Sequence, residues 1–337
     1  MNRELPHKVA DAILYEGYML YPYRPSALKN RQRWTFGILY PPAYSEVRTG
    51  TERSRMQTEC LLEAKAGTSI SLELRFLHLM VRQLHQLVDG RSEPVPSLVL
   101  DDSTAESWDE PTERSLEFAV ILGAEPGTFP FAFPATSRTD QLSNGTVLLV
   151  GSITRTQHEI CGKLSVCSTQ IQNDLWKLRI DVSNETPFSG DVSDRNASLR
   201  CSLLSAHTIL MAGAGKFVSL LDPPADLKHE VGSCVNVGNF PVLVGNQGER
   251  DMLLCSPIVL YDYPQIAPES AGDFYDATEI DEMLTLRVIT LTDDEKNEMR
   301  LADERTRALL ERTEQSARDQ LVRTHGTMRN PRPASHG

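Results

Sequence analysis

Two stretches of this chain concentrate the side chains that bind or catalyse. Between Tyr261 and Glu282 stand Asp262, Glu269, Asp273, Asp276, Glu279, Asp281 and Glu282, interleaved with Tyr261, Tyr263 and Tyr275. Hard cations take oxygen ligands, so such a run could hold calcium or magnesium, but the alternating acids and central glycine of an EF-hand loop are missing. Two of the carboxylates could equally act as an acid and base pair. The plainer reading is an acidic loop that its tyrosines anchor and whose carboxylates pair with a basic segment at Arg24 to Arg33. That segment belongs to the second stretch, which holds Tyr15, Tyr18, Tyr21, Tyr23, Arg24, Lys29, Arg31, Arg33, Trp34 and Phe36. Tyr, Trp and Arg are enriched at interface hot spots, so if the two stretches meet they form either an internal seam or a docking surface. The contact surface expected on this basis comprises Tyr18, Tyr23, Arg24, Arg33 and Trp34 with Asp262, Tyr263, Glu269, Asp276 and Glu279.

The thiols offer weaker chemistry. His158, Cys161 and Cys167 could bring soft ligands together for zinc or nickel, with Asp273 as a further candidate ligand from the acidic run. No C-x-x-C pair is present, and Gly162 is expected to interrupt the strand between the two thiols. Cys201, Ser205 and His207 are a possible nucleophile and base set, but on a helix Cys201 and Ser205 share a face while His207 turns away. A buried thiol and a hydrogen-bonded core histidine are the plainer reading, because free Cys is among the most buried residue types. Cys234 and Cys255 flank an expected hairpin and could meet across it. The chain has no G-x-S-x-G, no P-loop, no H-E-x-x-H and no dinucleotide-binding glycine fingerprint. No cofactor is expected.

Composition bounds the remaining choices. With 337 residues the chain can hold two to three domains, and 34 Lys and Arg against 46 Asp and Glu leave a net charge of -12. Such a surface repels phosphate backbones and anionic lipid, which disfavours nucleic-acid and membrane-surface roles. No apolar run reaches the length of a membrane span, and Met1 to Ala10 carries charges and Pro6 where a signal peptide needs apolar residues, so a cytoplasmic location is expected. The six scattered cysteines call for no disulfide framework. Sequons at Asn144, Asn184 and Asn196 would matter only on export.

Most of the elements that must position these residues read as strands. Ile70, Leu72, Leu74 and Phe76 alternate with Ser71, Glu73 and Arg75, and Trp176, Leu178, Ile180 and Val182 alternate with Lys177, Arg179 and Asp181. Similar alternation marks Leu116 to Val120 and Leu164 to Val166, with turn chemistry at Gly123 to Gly127, Asn144-Gly145 and Ile171 to Asp174. The expected class is mainly β, antiparallel and β-sandwich-like, with one internal helix and a C-terminal helix; α+β is the alternative. The division expected is an aromatic, basic and β region over 1–90, an acidic proline-containing surface loop over 91–114, a sandwich-like region over 115–190, and a helix plus β region over 191–291. A C-terminal helix over 292–325 and a disordered tail over 326–337 complete it. The internal helix is placed between Asp194 and Ala212, Leu284 to Thr290 is read as a strand, and Thr292 with Glu295 as the capping box of the last helix.

Several runs also resemble one family. They are Leu14 to Tyr18, Leu20-Tyr21-Pro22-Tyr23-Arg24 and Lys29 to Gly37, then Ser219 to Pro224, Pro241 to Gly245, Ser256 to Pro264, Ala267 to Ser270 and Thr278 to Val288. Together they resemble proteins encoded beside bacterial NiFe hydrogenase genes, and the resemblance covers most of the chain. It is weakest in the middle, including Cys161, Cys167 and the Asp101 to Glu113 loop. It brings no catalytic residues to carry over. It implies a non-enzymatic accessory or assembly protein that binds a hydrogenase subunit or maturation factor. A metal-dependent enzyme using the 262–282 carboxylates, or a structural subunit retained in the mature complex, are the alternatives.

Overall fold

The computed structural model describes residues 4–16, 36–48, 50, 52–100, 103–144, 148–265, 281–302 and 304–325. The chain divides into two units, one of Met1–Tyr18 with Gln32–Ile266 and one of Met19–Arg31 with Ala267–Gly337.

The first unit is an antiparallel β protein. It opens with helices α1 (Glu4–Tyr15) and α2 (Pro42–Glu46) and strands β1 (Arg55–Ala64), β2 (Ser69–Val88), β3 (Arg91–Val95), β4 (Ser97–Leu100) and β5 (Ser103–Glu106). There follow β6 (Trp108–Ile121), β7 (Gly127–Phe133), β8 (Thr136–Asn144), β9 (Leu148–Gln157), β10 (Ile160–Gln172) and β11 (Leu175–Asn184). Helix α3 (Arg195–Leu199), β12 (Leu204–Ala212), β13 (Gly215–Phe217), α4 (Lys228–Gly232), β14 (Phe240–Leu243) and β15 (Met252–Ser256) complete it. One sheet runs β13-β1-β11-β10-β7; a second runs β14-β15-β12-β2-β9-β8, with β3 and β6 also paired to β2. Strands β4 and β5 form a separate hairpin.

The alternation read from the sequence sets the core. Register places Leu164 opposite Val182 and Val166 opposite Ile180, so their apolar side chains share one face. That face packs against Ile70, Leu72, Leu74 and Phe76 of the second sheet in one buried cluster. The expected antiparallel, sandwich-like class is therefore the observed one. The turns expected at Gly123 to Gly127 and Ile171 to Asp174 join β6 to β7 and β10 to β11. Gly145 lies outside the described residues.

Three local expectations are corrected. Asp194 does cap a helix, its carboxylate accepting the Ala197 N–H at 3.0 Å, but α3 is only five residues long. Beyond it, Leu204–Ala212 is a strand, not a helix. All nine of its residues are buried, because the sandwich core covers one face and α1 lays Val9, Ala10 and Ile13 against Ile209 and Met211 on the other. A strand covered on both faces loses its alternation and reads like a buried helix. The 91–114 loop is instead β3, β4, β5 and the start of β6. Its prolines sit where they cost little, Pro94 opposite His85 and Pro111 opposite Leu79 on strands whose other edge is unpaired among the described residues.

The second unit is helical, with α5 (Asp281–Ile289), α6 (Asp293–Ala302) and α7 (Glu304–His325). The expected strand at Leu284 to Thr290 is thus a helix. Leu284 and Val288, four apart and both fully buried, are its apolar stripe. The capping box is present: Thr292 donates its N–H to Glu295 Oε2 at 2.9 Å, and Glu295 donates its own to Thr292 Oγ1 at 3.3 Å. The single C-terminal helix expected over 292–325 is two, α6 and α7, tied by Lys296 and Arg300 to Glu314 at 3.4 and 3.5 Å. Among the described residues no helix is long and apolar enough to cross a membrane.

Candidate functional site

A cleft of about 580 Å³ opens on the first unit. One wall is the segment Gly37 to Tyr40. Leu39 exchanges both backbone hydrogen bonds with Leu203 at 2.9 and 3.1 Å, and Tyr40 donates its N–H to Arg53 O at 2.9 Å. The segment begins at Gly37, whose φ of +55° an L side chain rarely adopts and where a Cβ would lie 2.6 Å from the Pro257 ring. The opposite wall is the loop at Asn236 to Gly238. Val237 and Gln57 exchange backbone hydrogen bonds at 2.9 Å, while the Asn236 amide accepts from Glu59 N at 2.9 Å and donates to Glu59 O at 3.2 Å. The asparagine side chain thereby imitates one more residue of strand pairing along β1.

Between these walls the lining is aromatic, apolar and cationic. Met56 lies at its base, and Phe36, Val237 and Phe240 line it while keeping 36, 38 and 45% of their surface exposed. Arg53 and Arg195 contribute two guanidinium groups against one carboxylate, Glu52. Burial raises the Tyr40 hydroxyl pKa and Arg195, which hydrogen-bonds it, opposes the rise. Tyr40 also stacks on Tyr44 at 4.9 Å, which fixes its ring. Guanidinium groups beside partly exposed aromatic rings can take a carboxylate and an apolar side chain together.

Of the contact surface expected from the sequence, Tyr18, Tyr23, Arg24, Arg33, Trp34, Glu269, Asp276 and Glu279 lie outside the described residues, as does Asp273. Phe36, of the same aromatic and basic run, lines the cleft. Tyr15 is buried and donates to Glu113 at 2.7 Å. Asp262 and Tyr263 serve the fold. Asp262 accepts Leu243 N–H at 2.8 Å and the Ser219 hydroxyl at 2.5 Å, one on each carboxylate oxygen. Tyr263, at φ +56°, donates its N–H to Leu243 O and its hydroxyl to Glu249 O.

The thiol readings change. Strand β10 runs unbroken through Gly162, where a Cβ would collide with the Phe131 ring, so glycine there admits a close neighbour and does not end the strand. Cys161 and Cys167 are therefore about 20 Å apart along one strand, too far to share an ion bound at about 2.3 Å per thiolate. His158 is exposed, and its backbone carbonyl partners the buried His78 ring at 2.9 Å. Among the described residues no three His, Cys, Asp or Glu side chains are grouped so as to hold a metal. Cys201 follows α3 while Ser205 and His207 lie on β12, so the helical face sharing of Cys201 and Ser205 does not arise. Ser205 donates its hydroxyl to Ile13 O at 2.8 Å, and the His207 Nδ1 lies 2.8 Å from Ser205 O. Cys234 and Cys255 are joined by a third thiol: burial, and then Cys255 and Cys234 themselves, raise the Cys60 pKa. All six thiols are free.

No family model and no curated protein matches this chain. Arg53, Arg195, Tyr40, Val237 and Phe240 escaped sequence reasoning because nothing in their spacing links positions nearly 200 residues apart. Gly37 and Gly238 mark the bends of the two walls at φ +55° and +78°, and were the one available signal.

Proposed function

We propose that this protein is a non-enzymatic accessory factor that binds a protein partner at the cleft between the Gly37 to Tyr40 segment and the Asn236 to Gly238 loop. One observation carries the reading: partly exposed Phe36, Val237 and Phe240 stand with Arg53 and Arg195 in a single concavity. Aromatic and arginine anchors in a recess are what binding hot spots use. The aromatic and basic run at Tyr18 to Trp34 ends next to Phe36, so the contact surface expected there is continuous in sequence with the cleft lining. The partner class comes from the resemblance, a NiFe hydrogenase subunit or maturation factor, and the place of action is the cytoplasm. Against the metal-dependent alternative, Asp262 has both carboxylate oxygens engaged within the fold.

The test is affinity capture of the tagged protein from its native host, with mass spectrometry and elemental analysis of the same sample. Recovery of hydrogenase subunits or maturation factors by the unaltered protein, and their loss with Arg195→Glu or Phe240→Ser, is the expected result. Capture that survives both substitutions, or a sample with stoichiometric metal and no hydrogenase protein, overturns the reading.

A further inference from the structure

Most sheet edges described in the first unit carry a guard. Strand β14 carries Pro241, and the Asp262 carboxylate and Tyr263 N–H occupy the outward N–H and C=O of Leu243. Pro130 lies in β7, Pro94 in β3 and Pro111 in β6, while β13 has only three residues. Prolines, short strands and capped edges are the devices that keep β-sheets from joining edge to edge. Strand β8 is neither short nor capped, and its one irregularity, a register shift between Leu142 and Ser143, lies beyond the Arg138 to Asp140 segment. It is nine residues long, contains no proline, and pairs with β9 alone among the described residues.

A charge ladder crosses the sheet and ends on that edge. Arg82 meets Glu110 at 2.7 Å, Arg155 lies 4.0 Å from Glu110 and 2.9 Å from Asp140, and Asp140 meets Arg138 at 2.8 Å. The Arg138 side chain is 79% exposed. On β8 the order Arg138, Thr139, Asp140 is self-complementary. If two copies of the strand run antiparallel with Thr139 facing Thr139, each Arg138 falls directly opposite the other copy's Asp140, on the face that carries the ladder.

We propose that β8 is a dimerisation edge, pairing antiparallel with β8 of a second copy about a two-fold axis through Thr139. Such a contact is isologous and closed, as most homodimer interfaces are. It joins the two eight-stranded sheets and continues the ladder from Arg155 through Asp140 to the neighbouring Arg138. This surface is separate from the cleft and does not depend on the function proposed for it.

Sedimentation velocity over micromolar to hundreds-of-micromolar concentrations tests it. The unaltered chain is expected to dimerise, and Thr139→Asp, which sets two carboxylates face to face, to weaken the dimer by about tenfold or more. Arg138→Asp and Asp140→Arg should each be monomeric alone, since each places like charges opposite one another twice. Mixed, they should form a heterodimer, because both cross-strand pairs are then of opposite charge. Circular dichroism establishes that each variant is folded before association is compared. A monomeric unaltered chain, a dimer indifferent to Thr139→Asp, or single variants that fail to associate on mixing would overturn the proposal.

Discussion

His207 on β12 lies directly across from Arg75 on β2, under α1, with its ring fully buried and its Nε2 without a hydrogen-bond partner. Around the pair stand Glu73, which accepts from Ser115 at 2.7 Å and lies 2.9 Å from His7, and Asp11, which meets Arg75 at 2.6 Å. Burial, with Arg75 adding to it, holds the His207 pKa down at about 4. His78, buried beside Arg114, is likewise lowered to about 4.

Stability should therefore fall with acid. Both folded-state values lie below the unfolded value of 6.5, so between pH 6.5 and pH 4 the unfolded chain binds more protons than the folded one. Each histidine is expected to cost about 2 kcal/mol at pH 5 relative to neutral pH. Glu73, whose pKa is lowered by its hydrogen bonds to Ser115 and His7 despite burial, adds a further loss below its unfolded value. Urea midpoints measured from pH 7.5 to 4.5 check this, and His207→Gln should flatten the slope; an unchanged slope would remove His207 as the cause.

The Asp262 bracket predicts a second effect. Asp262→Ala leaves the Leu243 N–H on the β14 edge without its acceptor and frees the Ser219 hydroxyl. A loss of about 2 kcal/mol in chemical denaturation is expected. Since Asp262 also guards that edge, the variant should aggregate more readily on heating, which light scattering would register.

Helix α1 is attached largely through its apolar side. Ile13→Ala opens a space against the apolar outer face of the second sheet, where Ile209, Met211 and Val242 lie. The expected loss is about 3 kcal/mol, with increased binding of a hydrophobic dye. Undiminished stability would mean that the polar contacts of His7, Asp11 and Tyr15 hold the helix without it.

In the second unit, Thr292→Ala removes the hydroxyl that accepts the Glu295 N–H, leaving only the backbone half of the exchange, from the N–H of residue 292 to the Glu295 carboxylate. Helical circular dichroism followed on heating should show α6 destabilised by about 1 kcal/mol. Thr292→Ser, which keeps the hydroxyl, should recover most of it.

The strands covered on one face were legible in the sequence, because a pleated backbone sends successive side chains to opposite sides and the code for burial is then local. Trp176 to Val182 is of this kind; Ile70 to Phe76 keeps its alternation because its second face, though buried under α1, carries Glu73 and Arg75, which meet His7 and Asp11; and Thr292 with Glu295 is local in the same sense. Tertiary structure decided the elements whose surroundings come from elsewhere in the chain. Leu204–Ala212 is a strand because α1, some 200 positions earlier, covers its second face; Leu284 and Val288 serve a helix although their neighbourhood alternates like a strand; β3 and β6 exist because β2, at 20 residues, extends far enough to pair with both. The cleft follows the same rule. Its glycine bends could be suspected from composition, but Arg53, Arg195 and Phe240 become one surface only when backbone pairing closes Leu39 on Leu203 and Val237 on Gln57. Hydrogen bonds between distant strands have no periodic trace in a sequence, and it is these bonds that assemble the site.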